Sequence, residues 1–397
     1  MRVKQLIIFL IAIVMLGSCS ETNENSLVSE LTSRIDSLKQ HYAPDTRNTL
    51  WEVSVVNKKE KISVKAEVEN RQAEQALLKL NTTFPSVHFQ VKVLPDGSLK
   101  PFALINNSVS GIRRKTTRAS EMLSQALLGT PVKVFKKKGE WYYVQTPNKY
   151  LGWVNKGDLV LFDTTELQKY DAGKKIVFNR QCGFSYSQPN VKSLVVSDLV
   201  VGCILPVKGE KKDFLEVRYP DGRMAFVRKK DVVDYKKFIQ RKPEENKLVE
   251  TALKFNGIPY LWGGFSSKGM DCSGFSSTVY YLNGIILQRD ASQQTQYGKE
   301  ITTDYDFTKL TPGDLLFFGR KAKNNRKERV THVAIYIGNS RFIHASGRVH
   351  ITSMDSTQPD YQDKYKSLFV RAMRIIGQEN GKTIQRISDN PMYKLLK

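Results

Sequence analysis

The sequence predicts an α+β chain: several small domains in series, ending in one with a cysteine-bearing helix and an antiparallel, histidine-bearing hairpin. Three observations predict this class. Residues 124–159 recur as 197–232, each copy a set of short β runs broken by turn residues. Asp271-Cys272-Ser273-Gly274 opens a stretch with helical spacing. Beyond it, an alternating strand with His332 turns at Gly338-Asn339-Ser340 and returns with His344. The 397 residues leave room for two to four domains, and the apolar share of 40% is slightly under the usual globular value. The net charge of +23 suits either an anionic partner or a solvated basic face. The lysines are scattered and no nucleic-acid-binding motif occurs, so no nucleic-acid partner is expected.

Taken in order, residues 1–19 read as an export signal. Arg2 and Lys4 precede an uncharged apolar run, Leu6 to Leu16, which is too short to span a bilayer. The following Leu16-Gly17-Ser18-Cys19 resembles the bacterial lipoprotein signal. That resemblance implies lipidation at Cys19, which would hold an exported protein on a bacterial membrane, facing the periplasm or the cell surface. Residues 20–105 read as one amphipathic helix (Leu27, Leu31, Ile35, Leu38) followed by a small α+β domain. Its strand-like runs are 51–56, 62–68 and 87–93, with a helix near 73–80.

The repeat spans two domains, 106–165 and 172–236. Ser124, Gly129, Val134, Lys138, Val144, Pro147, Val154, Lys156 and Asp158 recur as Ser197, Gly202, Val207, Lys211, Val217, Pro220, Val227, Lys229 and Asp231, an offset of 73 without a gap. Trp141 and Trp153 become Phe214 and Phe226. Two copies are too few for a solenoid, so each is read as a separate small barrel. A charged linker leads into the last domain, 244–376, and 377–397 reads as a short polar tail. Cys182 and Cys203 are either bridged, as export permits, or packed as small apolar side chains.

In the last domain, Phe275, Val279 and Leu282 mark one helical face and Asn283-Gly284 a stop, which puts Cys272 in the first turn. Free N–H groups and the helix dipole there favour thiolate, the nucleophilic form. A cysteine at a helix start is by itself only a small buried hydrophobe, so a base is required. If the hairpin turn has three residues, Ala334 faces His344 and His332 is its diagonal neighbour on one sheet face, roughly 7–8 Å away. His332 can then take the thiol proton while His344 orients it. A two-residue turn would separate the histidines. His350 reads as a surface strand residue or a replacement orienter. A zinc site from Cys272, His332, His344 and His350 fits none of the common spacings, so neither metal nor cofactor is expected.

The pieces "PYLWGG", "DCSGF", "RDASQQ", "GDLLFF", "THVAIYIG" and "FIHASG" occur in the order seen in the NlpC-type, papain-like cysteine peptidases of bacterial cell walls, which this domain resembles. The resemblance implies a Cys272–His332–His344 triad on an antiparallel sheet packed against the nucleophile helix. Residues 320–329 look like an inserted surface loop. The repeat is similar to bacterial SH3-like barrels. Its first copy, with the residues just before it, resembles that of the three-domain members known as dipeptidyl-peptidase VI. Those are γ-D-glutamyl-L-diamino acid peptidases that release L-Ala-γ-D-Glu from murein peptides. There the barrel walls off one end of the cleft, so that only a free N-terminal L-Ala fits.

Position by position, this resemblance implies that Tyr260, Asp271, Ser273 and Ser292 bind peptide, and that Glu121 and Tyr150 are supplied by the barrel. Asp271 and Glu121 suit an ammonium group, and Tyr260 could donate to the oxyanion beside the Cys272 N–H. Each residue also has a plainer role. Asp271 and Ser292 suit helix caps, Tyr260 and Tyr150 core aromatics, and Glu121 a solvated charge. The expected partner is a murein-derived peptide, bound by a monomer. The alternatives are cleavage of intact wall, another amide hydrolysis or acyl transfer, or a wall-binding module with vestigial catalysis.

Overall fold

The computed structural model describes residues 24–58, 61–171, 173–305, 307–381 and 383–396. The expected signal segment, with Cys19, lies outside them. The chain divides after Ser98 into two compact units.

The first unit packs helix α1 (residues 24–42) and helix α2 (Arg71–Lys79) with strands β1 (Trp51–Lys58), β2 (Lys61–Val68) and β3 (His88–Val93). Strands β1 and β2 form an antiparallel hairpin, and β3 returns parallel to β2 through α2. Strict alternation along β2 buries Ile62, Val64, Ala66 and Val68 with Leu31, Ile35 and Leu77. Asn70 caps α2 by accepting the Ala73 N–H (2.8 Å).

The second unit opens with two barrels. The first holds β4 (Phe102–Ile105), β5 (Val109–Arg113), β6 (Met122–Leu127), β7 (Pro131–Lys138), β8 (Trp141–Gln145), β9 (Leu151–Asn155) and β10 (Leu159–Phe162), in the order β10-β4-β7-β8-β9-β5-β6. Helix α3 (Thr164–Asp171) leads to β11 (Lys175–Phe178), β12 (Cys182–Tyr186), β13 (Val195–Val200), β14 (Ile204–Lys211), β15 (Phe214–Arg218), β16 (Met224–Arg228) and β17 (Val232–Asp234). Their order, β13-β12-β16-β15-β14-β11-β17, is that of the first barrel shifted by seven strands. The barrels meet backbone to backbone. The Ile204 N–H donates to Leu128 O (2.9 Å), and a Cβ on Gly129 (φ 78) would lie 2.1 Å from Ile204 O. Cys203 is fully buried in the second barrel's core, Cys182 is exposed, and both are free thiols, so the bridge is not formed.

Helices α4 (Tyr235–Ile239) and α5 (Glu245–Lys254) precede a short hairpin, β18 (Phe265–Ser266) and β19 (Gly269–Met270), and then helix α6 (Cys272–Leu282). Strand β20 (Ile285–Ile286) and helix α7 (Ala291–Gln294) follow. The sheet comprises β21 (Lys299–Thr302), β22 (Leu315–Arg320), β23 (Arg329–Gly338), β24 (Arg341–Ser346), β25 (Arg348–Ser353) and, beyond helix α8 (Lys364–Leu368), β26 (Phe369–Arg374). It is antiparallel, in the order β21-β26-β22-β23-β24-β25. Instead of one apolar face, every residue of α6 is buried. Several polar side chains on it find internal acceptors: Ser276 donates to Gln294 Oε1 (2.8 Å), Thr278 to Phe265 O (3.3 Å) and Tyr280 to Gly313 O (2.7 Å).

The final segment is less polar in effect than its composition suggests. Strand β27 (Gln385–Arg386) pairs with β20, and helix α9 (Pro391–Lys394) follows. Ile384, Ile387, Tyr393 and Leu396 are buried in the main core. Asn390 Nδ2 donates to Pro147 O of the first barrel (2.9 Å), and the Tyr393 ring lies 6.1 Å from that of Tyr281 on α6. Replacing Tyr393 with alanine should cost about 3–5 kcal/mol, the range for truncating a buried aromatic. Urea unfolding measures this, and a loss under about 1 kcal/mol would mean that the segment is not docked.

Candidate active site

Helix α6 starts with its cap in place. Asp271 has extended backbone and accepts the Gly274 N–H at 2.6 Å. Gly274 is required by packing, because a Cβ there would sit 1.9 Å from Gly264 O. Cys272 is 8% exposed, and its sulfur accepts the Val333 N–H, from the residue next to His332. Burial pushes this thiol up to about 11, and the Asp271 carboxylate adds to the shift. The helix-start effect expected from sequence is therefore outweighed by burial, and the proton stays on sulfur.

The two histidines share one sheet face, by a route the sequence does not reveal. Asn339 and Ser340, at φ 51 and 54, make a two-residue turn that pairs Gly338 with Arg341. Taken alone it would put the histidines on opposite faces. A bulge between Tyr336 and Gly338 restores the register to Tyr336↔Phe342 and Ile335↔Ile343. Continued along the strands, that register sets Ala334 against His344. His332 Nε2 lies 2.8 Å from His344 Nδ1, and His344 Nε2 lies 3.0 Å from the Thr352 hydroxyl. Thr352 is fully buried, two residues along β25 from His350, which pairs with His344 across the strands. Burial lowers His332 to about 4 and His344 to about 2, and neighbouring positive groups add to both shifts. His350 is part-exposed, with Nδ1 donating to Arg348 O (2.9 Å) and its ring 4.4 Å from that of His344.

Asp271 is tied down by a residue that sequence reasoning passed over. Arg289, 1% exposed, grips it bidentately through Nη1 to Oδ1 (3.0 Å) and Nη2 to Oδ2 (2.6 Å). The Gly263 N–H (3.0 Å) and the Ser273 hydroxyl (3.3 Å) also donate to this carboxylate. Arg289 Nη1 reaches Ser273 Oγ (3.0 Å), and Nε reaches Ser124 Oγ on the first barrel (2.9 Å). The Asp271 oxygens thus already hold the cap and an arginine. The signal available in the sequence was Arg289 itself, inside "RDASQQ".

The first barrel grips the residues on either side of this pair. Trp262 Nε1 donates to Glu121 Oε1 (3.1 Å), and Arg114 Nε to Glu121 Oε2 (2.6 Å). Arg114 holds the Glu121 carboxyl below its usual range. Tyr150, 5% exposed, donates to Asp290 Oδ2 (3.0 Å). Asp290, missed from sequence, is the N-cap of α7, so Ser292 sits inside that helix instead of capping it. Tyr260 is part-buried. Burial, with the Cys272 and Asp271 charges, pushes its hydroxyl up to about 12, so it remains a neutral donor. The site thus draws together Cys272, His332, His344, Tyr260, Asp271 and Ser273, with Glu121, Tyr150 and Ser292 around the barrel end.

A thiol at a helix start, faced by sheet-borne histidines, defines a papain-like cysteine hydrolase. The NlpC/P60 family profile matches residues 257–371, and that of the bacterial dipeptidyl-peptidase Sh3 domain matches 112–159. The chain is 33% identical to the γ-D-glutamyl-L-lysine dipeptidyl-peptidase of Bacillus cereus over 263 residues, 63% of this chain and 75% of that protein. It is 30% identical to dipeptidyl-peptidase 6 of Lysinibacillus sphaericus over 256 residues, 61% of this chain and 88% of the relative. The crystal structure of an NlpC/P60 family protein from Bacillus cereus matches with a TM-score of 0.58 at 25% identity, covering 69% of this chain and 99% of that one. The chain belongs to the NlpC/P60 family of peptidoglycan peptidases, and it is a cysteine peptidase.

Replacing Arg289 with methionine would leave Asp271 charged and buried without its partner. A loss of about 3–5 kcal/mol in urea unfolding is expected, as for other broken buried pairs. A near-neutral result would mean that the carboxylate finds water instead.

Proposed function

We propose that the chain hydrolyses the γ-D-glutamyl–diamino acid bond of murein peptides whose N-terminal L-Ala is free, releasing L-Ala-γ-D-Glu. The observation that carries this reading is the barrel's double grip beside the nucleophile. Glu121 holds Trp262, next to Gly263, and Tyr150 holds Asp290, next to Arg289; Gly263 and Arg289 both bind Asp271. Glu121, Asp271 and Asp290 meet Arg114 and Arg289 there, leaving one carboxylate in excess. Surplus negative charge at the barrel end suits the ammonium of a free N-terminus.

In the mechanism that follows, Cys272 gives its proton to His332 Nδ1. His332 Nε2–H then donates to His344 Nδ1, and His344 Nε2–H to Thr352. The thiolate attacks the γ-carbonyl, while the Cys272 N–H and the Tyr260 hydroxyl receive the oxyanion. Collapse expels the diamino acid's amine with the proton from His332. Water, deprotonated by His332, then cleaves the thioester. We further propose that the chain is an exported lipoprotein held to a membrane through Cys19, on the strength of the apolar run before Leu16-Gly17-Ser18-Cys19.

Because His332 is lowered to about 4, it stays neutral and able to act as base well below the ordinary imidazole range. Activity should be lost only as pH falls through about 4, and at high pH as the thiol, raised to about 11, gives its proton to solvent and leaves none for the departing amine. A pH profile of kcat/KM checks this, and an acid limb near 6.5 would contradict it.

Mass spectrometry of paired digests tests the substrate. L-Ala-γ-D-Glu-diaminopimelate should be cut, and its N-acetylated form should not, with Cys272→Ala inactive. Cleavage of both would remove the barrel gate from the account.

A further inference from the structure

The surroundings of the catalytic histidines include a cation that nothing above employs. Lys364 opens α8, is exposed, and lays its Nζ 4.9 Å from the centroid of the Tyr365 ring. Tyr365 is buried against the catalytic histidines, its ring 6.1 Å from that of His332 and 5.1 Å from that of His344. Among the described residues no carboxylate pairs with Lys364. Its neighbour Asp363 takes the Tyr361 hydroxyl (2.8 Å), and Asp360 faces Arg341 (3.6 Å). The Lys364 charge opposes protonation of both histidines. An unpaired ammonium beside the general base therefore works against the imidazolium that the reaction must form.

That penalty disappears if the substrate brings a negative charge. The amine expelled in the reaction must lie against His332 to receive its proton. In a diamino acid, that amine's own α-carbon carries a carboxylate, and diaminopimelate carries a second one at the end of its side chain. We propose that Lys364 is a specificity-determining residue on the leaving-group side, where its ammonium receives a carboxylate of the diamino acid. Bound there, the carboxylate neutralises the cation and eases proton transfer to His332. The inference rests on the substrate reading above.

The test uses the full chain and three peptides: L-Ala-γ-D-Glu-diaminopimelate, L-Ala-γ-D-Glu-L-Lys, and the α-amide of the latter, which lacks a carboxylate beyond the scissile bond. The readout is the ratio of kcat/KM for each acid peptide to that for the amide. Lys364→Glu should lower this ratio by about tenfold, the scale of one charge-assisted contact, and Lys364→Arg should restore most of it. Lys364→Met, which introduces no new charge, supplies a second variant should the glutamate disturb α8. A fall for both acid peptides assigns the α-carboxylate, and a fall for diaminopimelate alone assigns the side-chain one. Unchanged ratios in the Glu and Met variants would overturn the proposal while leaving the peptidase reading intact. Failure of the wild-type chain to cut any of the three would overturn the substrate reading and this inference together.

Discussion

The buried pair between Asp271 and Arg289 is the interaction on which the rest of the site depends. Asp271 caps the nucleophile helix and holds the Gly263 N–H, while Arg289 reaches Ser273 and, on the first barrel, Ser124. One ion pair therefore fixes the N-terminus of α6, the loop before it and the docking of the barrel. Burying two charges is costly, and a pair gripped from so many sides serves geometry more than stability. Its position next to Cys272 makes the nucleophile's location a property of the whole assembly, barrel included.

The same dependence explains the burial of α6. A helix packed on a sheet alone would keep a solvated face; here the first barrel and the final segment cover it, and its serines and threonine find internal acceptors. Low exposure then sets the chemistry. The thiol is held up and the imidazoles down, so both partners of the proton transfer start neutral.

Much of this was legible in the sequence. The gapless offset between Ser124 and Ser197 marked a duplicated barrel, and both copies carry the same strand order. Asp271 before Cys272 announced a capped helix, and the alternation around His332 announced a strand. What stayed hidden depended on distant partners. Beyond its place in "RDASQQ", nothing local assigns Arg289 a buried partner, because Asp271, Ser273 and Ser124 come together only in the fold. The bulge before Gly338 leaves no compositional trace, so the right face was reached from an incorrect turn length. The closing segment read as polar because Ile384, Ile387, Tyr393 and Leu396 are separated by polar residues and bury themselves on tertiary grounds alone.

The central claim is that the barrel end of the cleft receives a free amine while the γ-carbonyl lies over the start of α6. A crystal structure of the Cys272→Ala chain with L-Ala-γ-D-Glu-diaminopimelate bound tests it most directly. The account predicts the L-Ala ammonium within hydrogen-bonding reach of the Glu121 or Asp290 carboxylate, and the γ-carbonyl oxygen directed at the backbone N–H of residue 272. A peptide bound with its amino terminus in open solvent, away from Glu121 and Tyr150, would contradict it.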